Sequence, residues 1–234
     1  MVAEGANDAT TQHAAVESAR YGVLRRLGPA LKHDMVVNLQ AIAMMAEVLN
    51  ARLERGSPAP EEFRTSIFKL NRLARDAVAN CLKVAAWIQP QDDEAVRLAT
   101  GIDDCVALLA SNFNFRGFLV EKDVTDAPFQ VSTVALRNLL IASLITLTDA
   151  AGGPCVVSIR CVVVDGLAQI TIRVAPRTDG YEALAYEPGY RQLQWSDVIA
   201  LADAESVEMI REPDTIVLRM PRAVTDTPLQ IAPV

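Results

Sequence analysis

The chain has 234 residues, of which 51% are hydrophobic and 22% charged, and its net charge at pH 7 is −7. This length can form one large or two small domains with a hydrophobic core, and the composition excludes a disordered chain. The acidic balance argues against a nucleic-acid-binding protein and against one that binds anionic membranes, since both need a basic face.

The charge changes sign near Pro90. Residues 1–90 contain 11 Lys and Arg against 9 Asp and Glu, a net charge of +2, whereas residues 91–234 contain 11 against 20, a net charge of −9. The chain therefore divides into a mildly basic first part and an acidic second part.

The cysteines and the apolar segments indicate a cytoplasmic protein. Four cysteines lie in apolar runs without a C-x-x-C pair, which favours buried free thiols in a reducing compartment over disulfides: Cys81, Cys105, Cys155 and Cys161. Residues 1–11 lack the basic and apolar regions of a signal peptide. The most apolar stretch, 134–151, is broken by Arg137, Asn138 and Asp149 and is predicted to be too polar to span a membrane.

The first part of the chain predicts two long helices. Residues 1–15 are small and polar and are predicted to form a loose tail. Over 17–55, apolar residues recur three and four apart, which predicts an amphipathic helix that can kink at Pro29. A second helix is predicted over 58–88, after the turn at Gly56, with a serine as its N-cap and a proline in its first turn.

These helices define a predicted hairpin domain over 16–90. Its arms are about 45–60 Å long at 1.5 Å per residue. Two helices of that length cannot bury their apolar faces alone, and pairing with a second copy would give a four-helix bundle. We therefore expect a homodimer.

The second part predicts an α+β two-layer sandwich over 91–222, followed by a loose tail over 223–234. A hairpin between two apolar strands is indicated by Asp165-Gly166. Strands are predicted at 96–99, 118–124, 129–131, 155–164, 167–174, 206–211 and 215–220. Helices are predicted at 102–114, capped by Thr100, and at 133–150 and 195–204.

His33 lies within the first predicted helix and is followed by Asp34. A neutral imidazole nitrogen can attack phosphorus to form a phosphoramidate, and a neighbouring carboxylate can orient the ring. The alternative is a surface histidine beside a carboxylate by chance. The other histidine, His13, lies in the predicted tail without a rigid frame, so we do not expect it to be catalytic.

Residues 31–39, LKHDMVVNL, resemble the H-box of sensor histidine kinases, in which an acidic residue follows the histidine and a leucine stands six residues after it. The order of elements over 17–222 also resembles that family's dimerisation-and-phosphotransfer hairpin followed by its Bergerat-type ATP-binding domain. The resemblance implies a bacterial two-component protein in which His33 accepts a phosphoryl group and Asp34 assists it.

The nucleotide-binding motifs that this resemblance implies are incomplete. Ala142 stands where the family's N-box has a metal-coordinating asparagine, and Ile145 stands where a basic residue often follows. Ala175 replaces the aspartate of D-x-G-x-G, for which Asp179 is a poor substitute, and the lid segment has one glycine, Gly189. Because Mg·ATP needs oxygen ligands and backbone room for its phosphates, we expect no ATP binding, no autokinase activity and no resident cofactor or metal.

The H-box also departs from the family pattern after its histidine. Asn38 stands where the family has proline, which removes a helix kink. Val37 stands where an asparagine or threonine can position a water, so phosphatase activity towards a response regulator is disfavoured.

A subset of phosphorelay proteins combines a dimeric hairpin with an ATPase-like domain that binds no nucleotide, and this chain resembles that subset most. The resemblance implies that His33 accepts a phosphoryl group from the aspartate of one receiver domain and passes it to another receiver. The Mg²⁺ would belong to the receiver. The receiver is expected to dock on the hairpin, where basic residues suit an acidic partner, at Val36, Val37, Gln40 and Met44 and at Lys69, Arg72 and Arg75.

Two other functions remain open from the sequence. The first is a non-catalytic pseudo-histidine-kinase, a scaffold or antagonist that binds a response regulator or a kinase. The second is a nucleotide-dependent enzyme with an unusual site.

Overall fold

The computed structural model describes residues 2–56, 59–89, 94–124, 128–180 and 191–223, without the side chains of 2–9, 83 and 88. The chain forms two compact units. The α/β unit comprises Met1–Arg26 and Gln91–Val234, and the hairpin unit comprises Leu27–Pro90.

Two long helices precede the sheet. Helix α1 spans Val2–Glu54 and helix α2 spans Pro60–Ile88, with Gly56 in the turn between them at a φ of 127°. Helix α2 begins with proline and has two glutamates in its first turn, which suits the positive end of the helix dipole. Its N-cap is Ala59, and the predicted cap, Ser57, lies outside the described residues.

Helix α1 extends further towards the N-terminus than the sequence analysis predicted. Residues 1–15 were expected to be a loose tail, but the chain is helical from Val2 onward. Five of residues 2–15 are alanine, the strongest helix former, so small residues here favour a helix rather than a coil. Pro29 lies inside α1, and the helix continues on both sides of it.

Besides the start of α1, the described residues of the α/β unit form three helices and seven strands, which confirms the predicted α+β class. The helices are α3 (Leu98–Phe115), α4 (Thr133–Ala150) and α5 (Trp195–Ala204). The strands are β1 (Ala95–Arg97), β2 (Leu119–Val124), β3 (Gln130–Ser132), β4 (Cys155–Val164), β5 (Leu167–Pro176), β6 (Glu208–Arg211) and β7 (Thr215–Pro221).

The first of these helices begins earlier than predicted. Helix α3 starts at Leu98 with Arg97 as its N-cap, so Thr100 lies inside the helix and is not its cap. The strand before it is correspondingly short, because β1 pairs only with the three residues of β3.

Five strands form a mixed sheet in the order β2-β4-β5-β7-β6. Strand β2 is parallel to β4, and the other neighbouring pairs are antiparallel. The β4–β5 hairpin turns at Asp165 and Gly166, both with positive φ, as that dipeptide predicts. Alternate residues of β4 and β5 are buried, so one face of the sheet supports the core.

Helix α4 is the centre of the core. It packs against α3, α5 and the strands β5 and β7, and 15 of its residues are buried. By length and composition this helix is apolar enough to span a membrane, which corrects the expectation that the segment is too polar, but 83% of it is buried inside the protein.

The start of α1 is part of the α/β unit. Val16, Ala19 and Val23 are spaced three and four apart and are buried, which gives this segment one apolar face. A Cβ atom on Gly22 would lie 2.8 Å from Leu193 Cδ2, so glycine permits this close approach. The boundary between the units therefore lies after Arg26, whereas the sequence predicted a domain starting at residue 16.

Polar contacts fix this segment to the α/β unit. Arg20 donates to Glu205 at 3.0 Å, and Arg191 donates to the Ser18 hydroxyl at 3.3 Å. The least exposed contact joins Arg26 to Asp149 at the end of α4, at 2.9 Å.

Asp149 also accepts a hydrogen bond from Arg116, which follows α3, at 2.6 Å. Side-chain exposure is 3% for Arg26, 10% for Asp149 and 12% for Arg116. One nearly buried carboxylate thus holds two guanidinium groups, which ties α1, α3 and α4 together.

All four cysteines are free, but one of them is not buried. Cys81 is exposed on α2, which corrects the expectation for that residue, because the apolar run around it lies on a helix that a single chain covers only in part. Burial raises the pKa of Cys105 to about 12 and that of Cys155 and Cys161 to about 11.

We predict that the variant Asp149→Asn loses about 3–5 kcal/mol of unfolding free energy, because two nearly buried guanidinium groups lose the negative charge that they share. Urea unfolding followed by circular dichroism measures the change. The control is Asp123→Asn in the exposed pair Asp123–Arg160, where both side chains are at least 70% exposed. That variant should lose less than about 1 kcal/mol. Equal losses in both variants would contradict the structural role of Asp149.

Candidate functional site

His33 and Asp34 lie on the solvent-facing side of α1 in the hairpin unit. Their side chains are 70% and 61% exposed. His33 Nδ1 and Asp34 Oδ1 are 3.4 Å apart, a long hydrogen bond. When Nδ1 carries the proton and its N–H donates a hydrogen bond to Asp34, the lone pair is on Nε2. The arrangement therefore presents an imidazole nitrogen to solvent.

The helix after His33 is uninterrupted. The Asn38 side chain donates from Nδ2 to the backbone carbonyl of Asp34 at 2.9 Å, within one turn. Asparagine at this position retains the backbone N–H that proline would lack, so α1 remains regular next to the histidine.

The predicted docking residues of α1 lie on the face that carries His33. Val36, Val37, Gln40 and Met44 follow the histidine by three, four, seven and eleven residues, and all four are exposed. Met44 lies about 16 Å from His33 along the helix axis. The structure thus groups these four residues with the histidine along one helix face.

A cleft near the turn of the hairpin brings two of the predicted docking residues together. Met44 of α1 and Lys69 of α2 both line this cleft, whose volume is about 460 Å³. Met45 and Val48 give it an apolar wall, and charged residues stand at its rim: Arg52, Glu61 and Glu62.

A second groove, of about 390 Å³, lies on α2 alone. It contains all three predicted basic docking residues, Lys69, Arg72 and Arg75, together with Phe68, which the sequence analysis did not select. Phe68 is 63% exposed. It follows Ile67 directly and so lies off the apolar face of α2, and this off-face position is the signal that could have identified it.

The hairpin unit exposes much apolar surface. Ten of the seventeen large hydrophobic side chains that are exposed among the described residues belong to this unit. They lie on both helices: Val36, Val37, Leu39, Met44, Val48, Leu53, Ile67, Phe68, Val78 and Leu82. A single copy of the hairpin therefore leaves hydrophobic surface for contacts with other protein molecules.

In the α/β unit, the residues at the N-box positions are buried in the core. Ala142 and Ile145 on α4 have almost no exposed surface, and Asn138 on the same helix is also buried. The side chains of Ala142 and Ile145 have no oxygen atom that could coordinate a metal ion. Among the described residues, no three His, Cys, Asp or Glu side chains form a group that could bind a metal ion.

The segment after β5 is held by an arginine. Arg177 Nη1 donates to the carbonyl of Gly117 at 2.8 Å, and its Nε donates to Asp179 Oδ1 at 2.9 Å. The Asp179 carboxylate, the candidate substitute for an adenine-binding aspartate, is thus engaged by a neighbouring guanidinium group.

Only the end of the lid segment is described. Gly189 lies outside the described residues. Arg191 forms two hydrogen bonds with Asp197, at 2.8 and 3.0 Å, and this hydrogen bonding raises the pKa of the guanidinium group. Arg191 therefore pairs with the first turn of α5.

No family model and no curated protein matches this sequence. Among solved structures, a bacterial phosphotransferase covers 91% of this chain and 96% of its own, at 16% identity and a TM-score of 0.40. The Acinetobacter baumannii histidine kinase AdeS covers 80% of this chain and 98% of its own, at 13% identity and a TM-score of 0.41.

The catalytic domain of the histidine kinase ThkA covers 55% of this chain and 95% of its own, at 12% identity and a TM-score of 0.43. At these identities and TM-scores, function has to be inferred from the chain's own residues.

Proposed function

We propose that this chain is a histidine phosphotransferase of a bacterial two-component phosphorelay. It accepts a phosphoryl group on His33 from the aspartate of one receiver domain and donates it to another receiver. The observation that carries this proposal is the exposed His33–Asp34 pair, with Nδ1 turned to the carboxylate, on a helix face that continues into exposed apolar residues.

The chemistry needs few groups from this chain. The Nε2 lone pair attacks the phosphorus of the aspartyl phosphate, an N–P bond forms, and the P–O bond to the receiver's carboxylate breaks. The ring then carries positive charge, which Asp34 stabilises by accepting the hydrogen bond from Nδ1. In the return step an aspartate oxygen of the second receiver attacks the phosphorus, and the imidazole leaves. The receiver supplies the Mg²⁺ that steadies the phosphoryl oxygens.

A homodimer is part of the proposal. Exposed apolar side chains occur on both helices of the hairpin, and a second copy would cover those that lie away from the His33 face in a four-helix bundle. We place the protein in the cytoplasm, where receivers and reduced thiols are found.

The proposal includes no use of ATP. Two observations support this: the buried Ala142 offers no metal ligand, and Asp179 is engaged by Arg177. A scaffold or antagonist that binds a receiver without accepting its phosphoryl group is the second candidate function. The unbroken helix at Asn38 favours it, because it departs from the H-box pattern next to the histidine.

We predict that the wild-type chain takes label from receivers phosphorylated with radioactive phosphate, and that His33→Ala takes none. His13→Ala is the matched control and should be labelled like the wild type. Asp34→Asn should slow the transfer by about 10²-fold, because the ring loses the carboxylate that stabilises its charge. Single-turnover labelling across a panel of receivers measures these rates.

If His33→Ala still becomes labelled, another residue of the chain accepts the phosphoryl group. If the wild-type chain binds phosphorylated receivers but does not become labelled, the relay function is wrong and the scaffold function is supported.

We also predict that calorimetry with Mg·ATP detects no binding. We expect no heat of nucleotide binding from the wild type or from Arg177→Ala. Both proteins have Ala142 and Ala175 at the two positions where the family has a metal-coordinating asparagine and an aspartate. If Mg·ATP binds to the wild type with a micromolar Kd, the proposal that the chain does not use ATP is wrong, and a nucleotide-dependent enzyme is supported.

A further inference from the structure

Helix α1 passes without interruption from one compact unit of the chain into the other. The boundary between the units lies between Arg26 and Leu27, inside the helix Val2–Glu54. On the first side of the boundary, the Arg26 side chain is 3% exposed and lies 2.9 Å from Asp149. On the other side, Leu27 and Leu31 are buried. Because the helix is fixed on both sides, a bend at the boundary would turn the whole hairpin unit.

Two residues of low helix propensity, Gly28 and Pro29, stand next to each other just after this boundary. Glycine and proline are the residues that destabilise the interior of a helix most. Residue 29 of a regular helix donates its N–H to the carbonyl of residue 25, and proline has no N–H to donate. The missing hydrogen bond is one of the four that span the boundary, since residues 27 to 30 each donate to the residue four positions earlier. The ladder of α1 is therefore weakened where the helix leaves the α/β unit.

Packing does not require a glycine at position 28. A Cβ atom on Gly28 would have no neighbouring atom within 4 Å, and the φ of this residue lies outside the left-handed region. Gly22 differs, because its Cβ would lie 2.8 Å from Leu193 Cδ2. Residues 28–30 are also not buried, unlike the leucines on either side of them. Gly28 thus supplies backbone freedom rather than space for a neighbour.

The second connection between the units starts at the same level of the hairpin. The chain returns to the α/β unit after α2, which ends at Ile88. Arg26 lies 28 residues before the end of α1 at Glu54, and Ile88 lies 28 residues after the start of α2 at Pro60. In an antiparallel helical hairpin, residues at equal distances from the turn lie at the same level. Both connections therefore leave the hairpin at its open end, so one bend there can turn the whole unit.

We propose that Gly28 and Pro29 form a hinge in α1, through which the hairpin unit that carries His33 changes its orientation relative to the α/β unit. Hinges are a few residues that absorb changes in backbone angles between rigid parts. His33 follows Pro29 by four residues, about 6 Å along the helix axis, and moves with the hairpin unit. The hinge is a property of the chain by itself. Its use in phosphoryl transfer rests on the proposed function, in which His33 meets two receivers in succession.

A single fixed kink is the other way in which a proline changes a helix. The residue before a proline is normally restricted, because the proline ring crowds its N–H and its Cβ and disfavours the helical conformation. Gly28 has no Cβ, so both helical and extended conformations are accessible to it in front of Pro29. The glycine–proline pair therefore favours a hinge with several bends over one fixed kink.

Distances between two spin labels on the full-length chain test the hinge. The labels are attached at Arg55→Cys, just after α1, and at Ile199→Cys on α5, and both positions are exposed. Cys81→Ser removes the exposed native thiol, and the other three cysteines are buried. An excess of unlabelled chain suppresses distances between copies. A bend of about 20° at the hinge moves residue 55, about 40 Å further along the axis, by about 14 Å. The distance distribution of this labelled chain should therefore be at least about 10 Å wide.

A double substitution, Gly28→Ala with Pro29→Ala, removes the proposed hinge. It restores the missing N–H and places the strongest helix former at both positions. We expect the distance distribution to narrow to less than about half its width, because a regular helix bends only gently. Asn50→Ala is the matched control, since it also replaces an exposed residue of α1 by a stronger helix former. It should leave the width unchanged.

The same substitutions in the unlabelled chain show whether phosphoryl transfer uses the hinge. In single-turnover labelling by a phosphorylated receiver, the double variant should lower the rate at saturation and raise the receiver concentration for half-maximal transfer. Each change should be at least about twofold, because substitutions in hinges often alter both quantities together. Asn50→Ala should become labelled like the wild type.

Two results would overturn the hinge. If the distribution is already as narrow without the double substitution as with it, α1 does not bend at this point. If the double substitution shifts the mean distance without narrowing the distribution, Pro29 sets a fixed kink. A narrowed distribution with unchanged labelling would show that transfer does not use the hinge. If no receiver labels the wild-type chain, the proposed function is wrong, while the distances still decide whether the hinge exists.

Discussion

Helix α1 belongs to both compact units, and the rest of the structure depends on this shared helix. Its first part contributes buried side chains and Arg26 to the α/β unit, and its later part carries His33. The carboxylate of Asp149 fixes the shared helix by holding Arg26 and Arg116 in a nearly buried site. The α/β unit thus holds the first part of the helix whose later part carries His33.

Exposed apolar side chains are concentrated on the described part of the hairpin unit, which carries ten of the seventeen. Apolar residues on α1 and α2 suit a second copy of the same chain, because like surfaces can pack in a symmetric bundle. In the proposed function, the hairpin serves both self-association and exchange of partners.

Much of the α/β unit could be predicted from its sequence. The bounds of α4 and α5, and the hairpin at Asp165-Gly166, follow from apolar periodicity and turn chemistry, which act over a few residues.

The helix over 2–15 was missed because alanines and polar residues give no apolar period. The exposure of Cys81 and Phe68 was missed because it depends on which helix faces a single chain covers. The exposure of His33 agrees with a reactive role, but the sequence could not give the 3.4 Å contact with Asp34.

The central claim is that the His33 imidazole carries a phosphoryl group. Mass spectrometry of peptides from the wild-type chain, taken after incubation with phosphorylated receivers, tests it most directly. We predict a phosphoryl mass on the peptide that contains His33, stable in base and lost in acid, as phosphoramidates are. A phosphoryl mass on another peptide, or none on a chain that still binds the receivers, would contradict the account.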